Sequence, residues 1–149
     1  MTIDRALLLL QSAATAYLTG LVWFIQGVHY PLLDAVPPSA FPGYEARHQR
    51  RAGRVVGPPM VVELATALAG LRWRPPELPA WWAWTGVTLL GVIWASTAFV
   101  QVPLHDALER GHDAASLRTL VASNWVRTVA WSARALLLAW ALGRLLSAG

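Results

Sequence analysis

Glutamate and histidine residues occur together in the segment that follows the first apolar run. Glu45 and His48 are three residues apart in the string YEARH, which places both side chains on one face of a helix. Imidazole and carboxylate groups are the ligands that zinc, iron and copper bind in proteins. The spacing is also the one that di-iron helix bundles use. We predict that the pair contributes to a metal site, and a single ion fits the available residues best.

Two further histidines end apolar runs of the chain. His29 ends the first run and His105 ends the third, and a glutamine precedes each of them by about one helical turn. Side-chain hydrogen bonds of this kind hold an imidazole in the orientation that metal binding needs. The predicted set comprises the metal ligands His29, Glu45, His48 and His105, the alternative ligand Glu63, and the orienting residues Gln26 and Gln101.

The last apolar run contains polar and aromatic residues at intervals of three or four positions, so they share one face of a helix. That face is predicted to point inward, because a charge at the centre of a bilayer costs about 2.5–3.5 kcal/mol or more. Arg127 would balance Glu63 or hold an anionic substrate oxygen, and Asn124 would help to stabilise that negative charge. Glu63 would move a proton. Trp131 and Arg134 are predicted to support these catalytic groups.

Four apolar runs must position these groups. Residues 6–28 and 81–102 contain no charged side chain, and residues 55–71 contain only Glu63. Each run is close to the ~20 residues that a helix needs to cross a bilayer. Residues 117–146 form a longer fourth run with two arginines in its interior. We predict an all-α integral membrane four-helix bundle, a single domain over residues 1–149, with transmembrane helices at about 5–29, 56–72, 81–102 and 115–146.

An arginine-rich segment connects the first two predicted helices. Residues 41–55 place aromatic and polar side chains at helical spacing, which predicts an interfacial helix at the membrane surface. Ser39 is placed to cap this helix. Pro58 would then clash with the carbonyl group of Arg54 and bend the chain into the next helix. Before the last helix, Asp113 is a second predicted cap.

A secretory signal peptide is the alternative for the N-terminal run, because the string SAATA resembles a signal-peptide cleavage site. The leader MTIDR has no net positive charge from its side chains. The apolar run also continues well beyond the string. A transmembrane helix is therefore predicted here.

Composition limits the classes of function. Hydrophobic residues make up 56% of the chain and charged residues 13%, about half of the ~25% that is usual in soluble domains. The lack of cysteine excludes disulfides, cysteine-based zinc sites and iron–sulfur clusters. The net charge of +4 comes from arginines scattered between apolar runs, which is not the pattern of a nucleic-acid-binding protein. The lipid bilayer is the predicted partner, and the bacterial inner membrane is the predicted location.

The ends of the first and third runs resemble each other. The strings FIQGVHYPLL and FVQVPLHDAL both contain phenylalanine, a branched residue and glutamine, followed by histidine, proline and leucine in varying order. This similarity predicts a duplicated helical hairpin in which the first and third helices are equivalent.

Two stretches, VPLHDAL and NWVRTVAWSAR, resemble the anthrone-oxygenase-like family of small four-helix membrane proteins. The resemblance implies oxygenation of a phenolic or polyketide-like aromatic compound, and it implies roles for Asn124, Trp125 and Arg127. His105 stands where the family has an asparagine, so the chain departs from the family pattern at this position. A second block, from VHYPLL to GPPMVVEL, resembles a set of bacterial membrane proteins with no established activity.

The predicted function is that of a membrane-embedded, metal-dependent oxidoreductase or oxygenase that acts on a hydrophobic small molecule. Its cofactor would be a divalent transition metal, namely iron, zinc or copper. Haem with His29 and His105 as axial ligands is one alternative. A non-enzymatic small transporter, metal carrier or assembly subunit is another, and a transporter built from four helices would need to form a homo-oligomer.

Overall fold

The computed structural model describes residues 2–147, and helices dominate it. They account for 88% of the structure, which confirms the all-α prediction. Four helical segments are long and apolar enough to cross a membrane, as the four apolar runs predict. They are α1 (Ile3–Ala35), α2 (Phe41–Arg72), α3 (Ala80–Arg110) and α4 (Ala114–Ser147).

The helical segments are longer than the apolar runs from which they were predicted. Each contains 31 to 34 residues, which corresponds to about 46–51 Å at 1.5 Å per residue. The hydrocarbon core of a bilayer is only about 30 Å thick. The difference from the predicted bounds is largest for α2 and α3, which continue through the charged segments 41–54 and 103–110.

The helices form an up-and-down bundle in which α1 and α3 each contact both α2 and α4. The connections 36–40 and 111–113 lie at one end of the bundle, which we call the loop end. The connection 73–79 lies at the opposite end, together with the start of α1 and the end of α4. There Arg5 approaches Glu77, with 3.7 Å between the charged groups.

Three apolar clusters follow one another along the bundle. The cluster at the loop end includes Leu120, the middle cluster includes Leu90, and the cluster at the opposite end includes Leu138. Each cluster combines side chains from all four helices. The apolar core therefore extends over the length of the bundle and fixes the axial level of each helix against its neighbours.

α2 is a single helix that contains Pro58 and Pro59 in its interior. The predicted interfacial helix at 41–55 is therefore the first half of α2, and the predicted bend at Pro58 does not end the helix. Each proline removes one backbone hydrogen bond. Helices that pack against neighbours in a membrane tolerate this loss, because nearby groups satisfy the freed carbonyl oxygens.

The two predicted helix caps have different outcomes. Ser39 does not cap α2, since Ala40 occupies the N-cap position and no side chain forms a capping hydrogen bond there. Asp113 caps α4, because its carboxylate accepts hydrogen bonds from the backbone N–H groups of Ala115 and Ser116 at 3.2 and 2.8 Å. A hydrogen bond from the Ser116 hydroxyl also lowers the pKa of Asp113 below its ordinary value. The carboxylate therefore stays charged beside the positive end of the helix dipole.

Two π-helical turns interrupt the regular helix near the loop end. One covers Ile25–His29 in α1 and the other covers Thr97–Gln101 in α3. A proline follows two residues after each turn, and the wider turn relieves the clash that a proline ring makes with the preceding turn of a regular helix. The two π-turns lie in the parts of α1 and α3 that resemble each other in sequence. Such turns often occur at functional sites, and both predicted orienting glutamines lie in them.

Candidate metal and ligand site

Three of the four predicted metal ligands meet near the loop end. Glu45 and His48 lie one turn apart on α2, and His105 reaches them from α3. One ligand atom from each residue lies within 4.8 Å of the others, and His105 Nδ1 lies 2.5 Å from Glu45 Oε1. We call these three residues the His–Glu cluster. The cluster results from helical spacing within α2 and from the packing of α3 against α2.

The carboxylate of Glu45 is completely buried. Its Oε1 atom contacts His105, whereas its Oε2 atom has no hydrogen-bond partner among residues 2–147. A buried carboxylate oxygen without a partner is unfavourable, because it has lost its water and gained nothing in exchange. A cation bound beside Glu45 would satisfy this oxygen.

A chain of hydrogen bonds supports His105 on the side opposite Glu45. The Tyr30 hydroxyl lies 3.2 Å from His105 Nε2 and 3.5 Å from Gln101 Oε1, and Gln101 Nε2 donates to Ser123 Oγ at 2.9 Å. On the other side of the ring, Nδ1 faces Glu45 Oε1 at 2.5 Å, a contact that needs a proton between the two atoms, and a bound metal ion would take the place of that proton. Gln101 thus orients a ligand through Tyr30, which is not among the predicted site residues although it directly follows one of them.

His29 stacks on His48 instead of joining the cluster. The two ring centroids are 4.6 Å apart, and the ring planes meet at 22°. A bound metal ion lies in the plane of the imidazole, about 2.0–2.1 Å from the nitrogen, so two stacked rings cannot share one ion. The Nε2 atom of His29 is buried and has no partner within the described part of the chain. In this arrangement His29 packs against the ring of His48 and is not part of the His–Glu cluster.

The arrangement of the rings gives the haem alternative no support. The ring of His48 is next to both other rings, with centroid distances of 4.6 Å to His29 and 5.4 Å to His105. Haem with two axial histidines needs the flat macrocycle between them. A macrocycle held by His29 and His105 would have to fit beside the ring of His48, which is next to both of them.

A cavity of about 270 Å³ adjoins the cluster, mainly between α2 and α3. Most of its lining is apolar, with a small number of polar groups. This combination is typical of sites that bind small organic molecules. The lining residues that bear on function are Tyr30, Met60, His48, Trp94, His105 and Arg127.

Arg127 reaches this cavity from α4. Its side chain is 7% exposed, and its Nε atom has no hydrogen-bond partner among residues 2–147. Its guanidinium carbon lies 5.2 Å from the ring centroid of Trp131, a cation–π contact. The predicted pairing of Arg127 with Glu63 is not formed. The alternative role, contact with an anionic oxygen of a substrate, remains compatible with its position in the cavity wall.

Glu63 pairs with Arg134 in the interior of the bundle, and both charged groups are buried. Arg134 Nε donates to Glu63 Oε1 at 2.8 Å, and Trp131 Nε1 donates to Oε2 at 3.1 Å. The hydroxyl of Thr15 donates a third hydrogen bond to the carboxylate. Glu63 is not among the residues that line the cavity. This geometry supports a structural role, and it supports neither proton transfer nor metal binding by Glu63.

The continuity of α2 explains why Glu63 meets Arg134. Glu63 lies 22 positions after the first residue of α2, or about 33 Å from the loop end. Arg134 lies 20 positions after the first residue of α4, or about 30 Å from the same end. Arg127 lies only 13 positions into α4, or about 20 Å from that end. A break at Pro58 would instead place Glu63 close to the loop end, near the level of Arg127. The non-enzymatic alternative, a small transporter, metal carrier or assembly subunit, stays a prediction.

Gln26 and Asn124 contact each other and not the histidines. Asn124 Nδ2 donates to Gln26 Oε1 at 2.8 Å, and Gln26 Nε2 donates to the backbone oxygen of Val121 at 3.2 Å. Neither side chain is part of the cavity lining, so the pair links α1 to α4 beside the site. Trp125 packs edge-on against Trp23 on the outer surface of the bundle. It does not line the cavity, so its position does not support the role that the resemblance implies.

A second glutamate–histidine pair has the same spacing, Glu109 and His112, and it does not belong to the cluster. Glu109 accepts a hydrogen bond from Gln49 Nε2 at 3.0 Å. His112 packs edge-on against Phe41, with ring centroids 4.9 Å apart. His112 is therefore a matched control for substitutions of the cluster histidines.

Gly86 of α3 makes room for Arg134. Arg134 Nη1 donates to the backbone oxygen of Gly86 at 2.7 Å, and a Cβ atom on Gly86 would lie 3.0 Å from the same nitrogen. Alanine in place of glycine usually stabilises a helix by ~1 kcal/mol. Because Glu63 holds Arg134 in place, the new Cβ atom would crowd the arginine, and we expect Gly86→Ala to show no such gain in the free energy of unfolding. Gly91→Ala adds a Cβ with nothing within 4 Å and should raise the melting temperature in detergent. Equal stabilisation by both substitutions would contradict this explanation.

No protein-family model matches the chain, and no curated protein or solved structure is significantly similar to it. The resemblance to the anthrone-oxygenase-like family therefore stays a prediction. Function has to be inferred from the geometry of the His–Glu cluster and the adjoining cavity.

Proposed function

We propose that the chain is a membrane-embedded, metal-dependent oxidoreductase that acts on a hydrophobic small molecule. The observation that supports this most directly is the convergence of Glu45, His48 and His105 beside a mostly apolar cavity. Two histidines and one carboxylate are the ligand set of non-haem iron oxygenases and of several zinc enzymes, and this set leaves coordination positions open. Iron is the proposed metal, and zinc and copper are the alternatives.

The proposed location is a lipid bilayer that all four helices cross. Large apolar side chains on the outside of the bundle support it: Phe99 is 80% exposed and Leu136 is 73% exposed. Soluble proteins rarely expose large contiguous apolar areas. The first half of α2 exposes Arg47, Arg50 and Arg51, which suits contact with lipid headgroups. The His–Glu cluster would then lie near one membrane surface, and the bacterial inner membrane is the proposed membrane.

The donor atoms of the cluster suit a metal ion after small adjustments. In a tetrahedral site with bonds of about 2.1 Å, ligand atoms lie about 3.4 Å apart. The shortest separation in the cluster is 2.5 Å and none exceeds 4.8 Å, an interval that includes this value. Glu45 Oε2, which has no partner among residues 2–147, and His105 Nδ1, after loss of its proton, are donors of the right chemistry. A metal bound here would supply a Lewis acid and a binding position for dioxygen, the oxidant.

The surrounding residues would orient the ligands and keep water out. The Tyr30 hydroxyl holds the ring of His105, and the stacked ring of His29 restrains His48. Apolar side chains such as Met60 line the cavity. Exclusion of water strengthens the electrostatic interactions in a site and prevents side reactions.

Metal binding by the purified protein tests this proposal. The wild type in detergent, titrated separately with Fe(II), Zn(II) and Cu(II), is expected to bind one ion per chain, and the visible spectrum of bound Co(II) reports the ligands. Each of Glu45→Ala, His48→Ala and His105→Ala is expected to weaken binding by at least about tenfold. His112→Ala is expected to bind metal like the wild type. The proposal would be wrong if the protein bound less than one ion per chain and if none of the three cluster substitutions changed that binding.

A further inference from the structure

The cavity contains a positive charge for which the described residues provide no counter-ion. The guanidinium of Arg127 lies in the cavity wall, and within residues 2–147 it forms no ion pair with a carboxylate. Burial of a cation without a partner costs several kcal/mol. Arg134, two turns further along the same helix, avoids this cost because it pairs with Glu63. The charge of Arg127 therefore calls for a partner that is not part of the described chain.

A second unsatisfied donor lies in the same wall. The Nε1 atom of Trp94 is buried and has no acceptor in the described part of the chain, and Trp94 lines the cavity together with Arg127. Buried N–H groups without acceptors are rare in folded proteins. Arg127 points to a ligand with a negative charge, and the buried N–H group of Trp94 in the same wall favours one that also brings acceptor oxygens.

The rest of the cavity suits an apolar body of modest size. Val56 and Met60 of α2 and Ile25 of α1 contribute to the lining. The volume of about 270 Å³ is close to the lower limit of about 300 Å³ for small-molecule sites. His48 and His105 belong to the same lining. A ligand whose charge is held at Arg127 would therefore have its apolar body next to the proposed metal site.

We propose that the cavity binds a hydrophobic carboxylate, whose anionic group pairs with Arg127 and whose apolar body contacts Met60. Guanidinium groups bind carboxylates through two parallel hydrogen bonds, so a carboxylate matches this arginine better than a neutral amide or alcohol. The inference names the substrate class and in that respect rests on the proposed function, but the binding step itself needs no metal. The acid comes from one of two sources, a fatty acid of the bilayer or a small aromatic acid.

Binding of 2-naphthoate and decanoate to the metal-free protein tests this inference. The protein in lipid nanodiscs, treated with a chelator, is titrated with each acid and with the neutral 2-naphthamide. The wild type is expected to bind at least one acid about tenfold or more tightly than Arg127→Met, which corresponds to about 1.4 kcal/mol. The two proteins are expected to bind the amide equally. Preference for decanoate assigns a fatty acid as the ligand, and preference for 2-naphthoate assigns an aromatic acid.

Arg144→Met is the matched control for a change of charge. Arg144 also stacks on a tryptophan, with 5.6 Å from its guanidinium carbon to the ring centroid of Trp140, but it is exposed near the opposite end of the bundle. This variant is expected to bind both acids like the wild type. An unchanged or higher melting temperature of Arg127→Met shows that the variant is folded. Equal affinity of wild type and Arg127→Met for both acids would overturn the inference, whereas a failure to bind metal overturns only the proposed function.

Discussion

Replacement of Arg134 by methionine is expected to lower the free energy of unfolding by about 3–5 kcal/mol, the usual cost of breaking a buried ion pair. The substitution leaves the carboxylate of Glu63 buried without its cation. It also removes the hydrogen bond from Nη1 to the backbone oxygen of Gly86. Glu63→Gln should have a similar effect, because it leaves the arginine charged and unpaired. Titration with SDS in mixed micelles, followed by tryptophan fluorescence, measures these changes.

Arg127→Met is the control on the same face of α4. It removes a buried charge that lacks a counter-ion among residues 2–147, so the free energy of unfolding is expected to stay the same or to rise. The double variant Glu63→Met/Arg134→Met replaces both charges by apolar groups and should recover most of the loss. A cost below about 1 kcal/mol for Arg134→Met, typical of exposed pairs, would show that the ion pair does not stabilise the bundle.

Saturation with metal is expected to stabilise the wild type by about 2.7 kcal/mol when the free metal concentration is about 100 times the Kd. The donors come together only in the folded chain, because Glu45 lies on α2 and His105 on α3. At the same free metal concentration, His105→Ala is expected to lower this increase to about 1.4 kcal/mol or less, since the loss of one of three donors weakens binding by at least about tenfold. The melting temperatures of both proteins with and without metal, at equal protein concentration, provide the measurement.

Glu45→Gln separates the contribution of the metal from that of the fold. Glutamine retains the shape of the side chain and removes a buried negative charge with one unpartnered oxygen. Without metal, the variant should therefore be at least as stable as the wild type, and it should lose most of the metal-dependent increase. His112→Ala should keep the full increase. An increase of the same size in His105→Ala would mean that the ion binds elsewhere on the protein.

The buried polar groups of the bundle interior differ in how many hydrogen bonds the described residues supply to them. Glu63 accepts three hydrogen bonds and Arg134 donates two, although Arg134 Nη2 has no partner among residues 2–147. Glu45, Trp94 and Arg127 each keep a buried polar atom without a partner in the described chain. Functional sites commonly retain groups that reduce stability, because the ligand later satisfies them. Trp94 and Arg127 line the cavity and Glu45 belongs to the cluster beside it, which supports the cavity as a functional part of the molecule.

The sequence by itself determined the helical class of the fold and the end of the bundle at which the candidate ligands lie. Runs of about 20 apolar residues and the three-residue spacing of Glu45 and His48 are local properties, and local properties do not depend on the packing of distant segments. His105 could be predicted as well, because alternate helices run in opposite directions and the end of the third run therefore meets the start of the second helix. The proposed chemistry of these residues remains a prediction that metal binding tests.

Only the tertiary structure decided which polar groups become partners. His29 has the sequence features of a ligand, but its ring stacks on His48 after the π-turn of α1. Glu63 was predicted to lie near the loop end, but the uninterrupted α2 carries it to the depth of Arg134. The physical reason is that the partner of a side chain depends on the rotation and the axial level of its helix. Both are set by packing against the other helices, and no local pattern of residues encodes them.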